Sequence, residues 1–556
     1  MAQQHSLRSA IKKLFSLINL EKREIRNVYI YAIISGVIIL SLPLGIQAII
    51  NLMFGATIST SLIVLITLVI IGVLFAGVLQ IKQMRIIERI QQRIFTRLTF
   101  AYAYRIPKLS LHSIDNYYLP ELVNRFFDTA SLQKGLSKLL LDFPAATIQI
   151  LFGLILLSLY HPVFIVFGFL LAILVIIIFY VTSPKGFSSS IRESDYKYDV
   201  AFWLEEISRS IKTFKFFQHT DLHLKKTDSL VNGYLEAREE HFSVLVFQYR
   251  IVIGFKVFIT AAMLIIGAVL FVNQQINIGQ FIATEIIILT ITGAIEKLIV
   301  SLEVVYDVLT SLEKINKVLE KPQDADQALI EVENWKQTEG LDIKIKDLNF
   351  GFTPKKDVLK NINLHIKSGE KIYITGSEGS GKSSLIKLLT GMWPDYKGNL
   401  LFNDVPYKSM VPDTLYHQVA LYFDEDELFS GTLLNNLTLG AKDVNFTELQ
   451  FVCDLVGLSD FIAGKQEGYA IKLDPQGKKL SYNIAQKILL ARCIYQKPTL
   501  MLLEDGWLGI DRESKTRIID YLTSKENKTT LLTITDDEEF IAKCTRKITL
   551  TKGTIL

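Results

Sequence analysis

"KIYITGSEGSGKSSLIKLL", Lys371 to Leu389, begins as an alternating apolar strand and ends as a helix, with a glycine-rich turn between. Glycines at 376, 379 and 381 let successive backbone N–H groups curl around an anion, because no Cβ blocks the approach. Lys382 supplies positive charge for the outer phosphates. Ser383, at the start of the following helix, offers a hydroxyl to a divalent metal. Every constrained position of the phosphate-loop template is present, in the required strand–loop–helix context. Gly376, Ser377, Gly379, Ser380, Gly381, Lys382, Ser383 and Ser384 are therefore predicted to grip a nucleoside triphosphate with Mg²⁺.

Away from this loop the composition divides the chain. Half of the 556 residues are hydrophobic, and the mean hydropathy is +0.31, too apolar for an ordinary soluble enzyme. Six runs are long enough to cross a hydrocarbon core of about 30 Å. They lie near residues 27–50, 59–81, 143–160, 162–183, 251–272 and 281–303. A net charge of only +4 gives no reason to expect a nucleic-acid partner. Cys453, Cys493 and Cys544 all lie outside the apolar half, so no extracytoplasmic disulfide framework is expected.

Orientation follows from the connections. "NLMFGATI", the His161–Pro162 turn and "NQQINIGQ" contain no Lys or Arg, whereas the opposite side carries Lys12, Lys13, Lys22, Arg23, Arg26, Lys82, Arg85, Arg89, Arg93 and Arg97. The positive-inside rule then places both termini in the cytoplasm, in a multi-pass protein of the cell (inner or plasma) membrane. The first run is too long, and too far from the start, for a cleaved signal peptide. Spans two to three and four to five are separated by roughly 60 charged, helix-favouring residues each, which predicts helices that continue into the cytoplasm and turn back. Leu7, Ile11, Leu14 and Ile18 form one apolar stripe flanked by lysines, the pattern of a helix lying in the interface. Lys256 and Glu296 sit equally far from the turn near residue 276 and are expected to meet at one depth. Glu285 is a candidate polar group facing a pathway, with a hydrogen-bonded acid near the outer mouth as the plainer alternative.

With six spans, long cytoplasmic extensions and this loop, the chain resembles the ABC exporters in their half-transporter arrangement, most of all the type I secretion and peptide-exporter branch. The resemblance covers residues 5–556 and implies four parts. These are an interfacial elbow helix (1–26), a six-span helical membrane domain (27–318), a linker (319–338) and an α/β P-loop nucleotide-binding domain (339–556). It also implies that ATP is the nucleotide and that Phe352, in "FGF", stacks on adenine, normally a tyrosine's role. "NYYLPELVNRFFD" and "EEISRSIKTFKFF" look like the segments whose turns dock on nucleotide domains, with Pro120 where the first commonly has glycine. No peptidase domain is expected before the first span.

The remaining family motifs are present in altered form. "VALYFDEDELFSGT" looks like the Q-loop region, with Asp424 at the glutamine's position as a further metal ligand. "LSYNI", Leu480 to Ile484, stands for the LSGGQ signature, keeping Ser481 but placing Tyr482 and Asn483 where glycines allow close approach. In "MLLEDGWLGID" the paired acids are reversed: Glu504 is expected to reach the metal shell and Asp505 to polarise the attacking water, with Asp511 as the D-loop aspartate. "TTLLTITDDEEF" puts Asp536 in the switch histidine's place.

These changes have a calculable direction. Asp505 falls short of the water by about one carbon–carbon bond, and a misplacement near 1 Å costs on the order of 100-fold in rate. Asp536 replaces a hydrogen-bond donor beside the γ-phosphate with a like charge. The expected protein is an ATP-binding half of a dimeric exporter, pairing with itself or with a second half, that hydrolyses poorly. A secretion-system adaptor is a further expected partner. The alternative is a non-catalytic ATP-sensing regulator or scaffold of a membrane secretion complex. The transported substrate is not legible.

Overall fold

The computed structural model describes residues 7–53, 60–114, 118–216, 220–324, 339–352, 356–423, 427–504 and 510–556. Asp424 and Asp505 lie outside them. The chain divides into two compact units, one of residues 1–107 and 116–321, the other of 108–115 and 322–556.

The first unit is helical. A short helix, α1 (Leu7–Asn19), precedes six long ones: α2 (Lys22–Met53), α3 (Thr60–Arg105), α4 (Asp128–Tyr160), α5 (Val163–Arg209), α6 (Leu222–Val272) and α7 (Ile278–Leu319). Among the described residues, six helical segments are long and apolar enough to cross a membrane. Each apolar run continues into charged sequence without a break, because Lys, Arg and Glu are as good helix formers as Leu. That is why α3 extends to Arg105, α5 to Arg209, and α6 begins at Leu222.

Helix α7 is the core of this unit, with buried residues along its length from Gly279 to Val318 and an unbroken buried run from Val308 to Leu312. Small residues let α4 press against it. A Cβ on Gly135 would lie 2.4 Å from Val308 Cγ2, and one on Gly153 would lie 2.7 Å from Ile291 Cγ1. Close backbone approach is how helices gain packing energy where lipid offers no hydrophobic drive. A capping box formed by Asn277 and Gln280 starts α7 after the turn from α6. The predicted pair is present: Lys256 Nζ lies 3.1 Å from Glu296 Oε2, and Tyr249 donates to the same carboxylate. Glu285 is half-buried on α7 with no ion pair or hydrogen bond among the described residues.

The second unit is α/β. A mainly parallel sheet runs in the order β12-β11-β3-β10-β9-β6, built from β3 (Lys371–Thr375), β6 (Val419–Tyr422), β9 (Leu500–Glu504), β10 (Thr530–Ile534), β11 (Arg546–Thr551) and the antiparallel edge strand β12 (Thr554–Ile555). A second sheet, β2-β1-β4-β5, is antiparallel and comprises β1 (Ile343–Phe350), β2 (Leu359–Ile366), β4 (Tyr396–Phe402) and β5 (Val405–Pro406). Two short strands, β7 (Gly431–Thr432) and β8 (Lys472–Leu473), pair beside the helices. The helices that bear on the site are α8 (Lys382–Leu389), α9 (Tyr482–Tyr495) and α10 (Arg512–Thr523). The central strands read as continuous apolar runs because both faces are covered.

The segment from the loop after span two that joins this unit is 108–114, upstream of "NYYLPELVNRFFD", whose described residues belong to the helical unit. Here Leu109 bridges Gln323, Ser110 N–H donates to Pro322 O, and Asp324 N–H donates to Lys108 O. The backbone decides this pairing, so no side-chain pattern announces it. The second expected docking segment, "EEISRSIKTFKFF", likewise lies in the helical unit over its described residues.

Candidate functional site

The site is assembled at the carboxyl edge of the parallel sheet. Strand β3 ends at Thr375 and the glycine-rich loop follows. Gly376 has φ +153, and a Cβ there would stand 2.2 Å from Leu550 O on β11. Gly381, at φ +101, is the residue before α8, where a side chain would meet Leu359. Only glycine accommodates both the dihedral and the crowding.

Lys382 does not extend into solvent. Its Nζ donates to Gly376 O at 2.9 Å and Ser377 O at 3.1 Å, so the ammonium caps the loop's own concavity. Ser380 is buried, and its hydroxyl has no hydrogen-bond partner among the described residues. Ser383, in the first turn of α8, donates to the Glu504 carboxylate at the end of β9. A hydroxyl and a carboxylate brought together beside an anion loop are the hard oxygen donors Mg²⁺ prefers, with the remaining positions left to water and phosphate. The residues therefore fit that ion.

The sheet places the other candidates by register. Strand β10 lies between β3 and β9, with Ile534 opposite both Ile374 and Glu504. Asp536 follows two residues later, exposed, and has no ion pair or hydrogen bond among the described residues. Ser384 sits in the first turn of α8. Phe352 packs edge-on against Phe350 and Trp393, each ring centroid 5.0 Å away. Ser481 caps α9, accepting the Ile484 N–H at 3.4 Å. Tyr482 is half-exposed, and Asn483 Oδ1 is buried without a partner among the described residues. No hydrogen bond or ring contact among the described residues joins Phe352 or Ser481 to the glycine loop. The loop and Glu504 meet through Ser383, and Asp536 follows the strand between them by two residues; the other two stand on separate elements.

Two contributors escaped the sequence reading. Gly553 occupies the tight turn between β11 and β12, where Lys552 and Gly553 have φ of +48 and +84, the pairing a two-residue hairpin demands. Its N–H donates to Ser380 O at 3.0 Å and its carbonyl accepts from Lys360 N–H at 2.7 Å, so this turn braces the loop from behind. Lys487, on α9, is buried, and its Nζ lies 2.5 Å from Asp511 Oδ2. Burial opposes the charge on Asp511, but the Lys487 ammonium and the Ser514 N–H outweigh it and hold the carboxyl well below the usual range. The pair ties the signature helix to the residue capping α10. A lone lysine inside "IAQKILLA" was the available signal.

Two family descriptions match the chain: "ABC transporter" over residues 359–506 and "ABC transporter transmembrane region" over residues 26–295. The chain belongs to the ABC transporter family. Its membrane and nucleotide parts are fused in the half-transporter order, and its fold is that of an ABC exporter. A solved bacterial Atm1-family ABC exporter with ATP bound superimposes with a TM-score of 0.84, covering 96% of this chain and 94% of that one, at 16% identity.

Among curated relatives, an uncharacterized ABC transporter ATP-binding protein of Haemophilus influenzae is 23% identical over 385 residues, 67% of this chain and 61% of that protein. The alpha-hemolysin translocation ATP-binding protein of Escherichia coli O157:H7 is 27% identical over 293 residues, 52% of this chain and 40% of that protein. The leukotoxin translocation ATP-binding protein of a Pasteurella haemolytica-like species is 26% identical over 292 residues, 52% and 41%. This ABC transporter chain thus spans less than two thirds of the length of each of these relatives, and about two fifths of the latter two.

Proposed function

We propose that the chain is one half of a dimeric ABC exporter in which ATP binding, more than ATP turnover, drives the change of state. The contact that supports this reading is Ser383 on Glu504, beside a loop closed by Lys382. Gly376 through Ser384 hold the triphosphate, with Phe352 beside the base and Ser481 presented to the nucleotide of the second half. Ser383, Glu504 and Asp424 hold Mg²⁺, which supplies charge neutralisation at the phosphates. Asp505, one methylene short, positions water poorly, and Asp536 adds like charge where a donor serves better. ATP then acts as a ligand that favours closed nucleotide domains over open ones. Both termini and the nucleotide domain face the cytoplasm.

The test is to measure ATP retention and phosphate release on the purified full chain in lipid nanodiscs with Mg²⁺. Retention at millimolar ATP with slow phosphate release, and loss of retention in Lys382→Ala, is the expected result. Failure to retain ATP, or brisk vanadate-sensitive hydrolysis by the chain alone, overturns it.

A second reading is an ATP-sensing regulator of a secretion complex. What favours it is that the reversed acids and "LSYNI" occur on the same chain, so no pairing with an intact half gives a wholly intact site. ATP-dependent closure without phosphate release, with or without an intact partner half, separates it from the exporter.

A further inference from the structure

Helix α1 and the first turns of α2 enclose an open groove of about 740 Å³. Lys12, Lys22 and Arg26 line it, and Phe15, Ile18 and Tyr29 form its apolar walls. All three cations are exposed. None of them has an ion pair or hydrogen bond among the described residues.

This absence of counter-charge is built in. Glu21 and Glu24 are the only acids in the first 87 residues, and both are engaged by Arg93 on α3, with Arg97 also on Glu21. Lys13, one residue from Lys12, is neutralised by Glu313 of α7 and by Glu320, the residue after it. The neighbouring acids are consumed on the protein-facing sides of α1 and α2, and the groove keeps its positive charge. Its walls remain unsatisfied too: Phe15 is 64% exposed and Tyr29 44%.

A soluble anion would meet the three cations and leave Phe15 in water. A purely apolar ligand would cover the rings and strand three charges without counter-ions. An amphiphile with an anionic head satisfies both. Helix α2 runs on from the groove into the first span, so the groove lies where lipid headgroups meet acyl chains. We propose that it binds an acidic phospholipid, with the phosphate among Lys12, Lys22 and Arg26 and an acyl chain along Phe15, Ile18 and Tyr29. The proposal is independent of how fast the nucleotide site turns over.

The experiment is native mass spectrometry of the detergent-solubilised full chain titrated with phosphatidylglycerol or phosphatidylcholine. Phosphatidylglycerol is expected to bind in preference, and the triple variant K12Q/K22Q/R26Q to bind it on the order of 100-fold more weakly. A charge-matched control, K82Q/R85Q/R89Q on exposed α3 positions, is expected to keep wild-type binding. Equal binding of the two lipids by the wild-type chain overturns the proposal without any variant. So does equal loss in the two triple variants, which would mean diffuse charge only. Displacement of the lipid by excess inorganic phosphate would assign the cations to a soluble anion and also overturn it.

Discussion

Ser383, in the first turn of the helix after the glycine loop, donates its hydroxyl to Glu504 at the end of a strand two positions away in the sheet. The contact crosses β10, which lies between β3 and β9, and it is what makes a metal-binding edge out of two distant stretches of chain. Glu504 spans the gap because its extra methylene lets it reach where an aspartate at the same backbone position would stop short.

Removing the charge that closes the loop tests nucleotide binding directly. Lys382→Ala deletes a charge-assisted donor worth about 1.5–3 kcal/mol, so ATP should bind roughly 10- to 100-fold more weakly. Equilibrium binding of a fluorescent ATP analogue to the full chain reads this, and unchanged affinity would remove Lys382 from the site.

If reversed acids limit turnover, restoring them should raise it. Asp505→Glu combined with Asp536→His, Tyr482→Gly and Asn483→Gly is expected to increase phosphate release on the order of 100-fold, the scale of a 1 Å correction at the reacting water. No gain would argue against the assignment of these four positions.

The brace behind the loop makes a prediction of its own. Gly553→Ala puts a Cβ 2.1 Å from Val358 O at a φ of +84, a clash with rigid backbone that costs about 1–3 kcal/mol. Apparent melting temperature and ATP affinity should both fall. Gly468→Ala, at a φ of +53 with no atom within 4 Å of the new Cβ, should lower only the melting temperature, and by less. Equal effects would mean that the hairpin does not support the loop.

Lys371, buried at the start of β3, donates to Asn527 O at 2.9 Å and Thr529 O at 2.6 Å, and burial pushes its ammonium down to about 8. An unfolded lysine titrates near 10.4. Between about pH 8 and that value the unfolded chain binds the extra proton, so this group makes stability rise with pH, by up to about 3 kcal/mol. The penalty is present in full below about pH 8 and gone above the ordinary lysine range. Apparent melting temperature of wild type minus Lys371→Met should therefore increase from pH 8 to pH 10. A flat difference would mean that the site keeps its charge.

The glycine loop was legible because its chemistry is local. Lys382 finds its partners, Gly376 O and Ser377 O, within a few residues of itself, and Gly376 and Gly381 take the positive φ that the loop pattern calls for. The six spans were legible because a hydrocarbon core imposes a length that composition reveals. Gly553 and Lys487 were not, because their partners, Ser380 and Asp511, are distant in sequence and meet them only through the sheet and helix packing. The Leu109–Gln323 bridge was not legible for a related reason: it uses backbone groups that every residue carries.

From residue order alone come the two-part architecture, the lipid-facing and nucleotide-facing chemistry, and the proposed departures from family pattern at Glu504, Tyr482, Asn483 and Asp536. Each is a property of side-chain type and spacing. Tertiary structure alone decides which charges stay free. Lys12 and Lys13 are adjacent and chemically identical, yet Lys13 meets two carboxylates at the end of α7 while Lys12 faces an open groove. Their fates differ because successive residues on a helix point about 100° apart, and only packing determines which direction holds an acid.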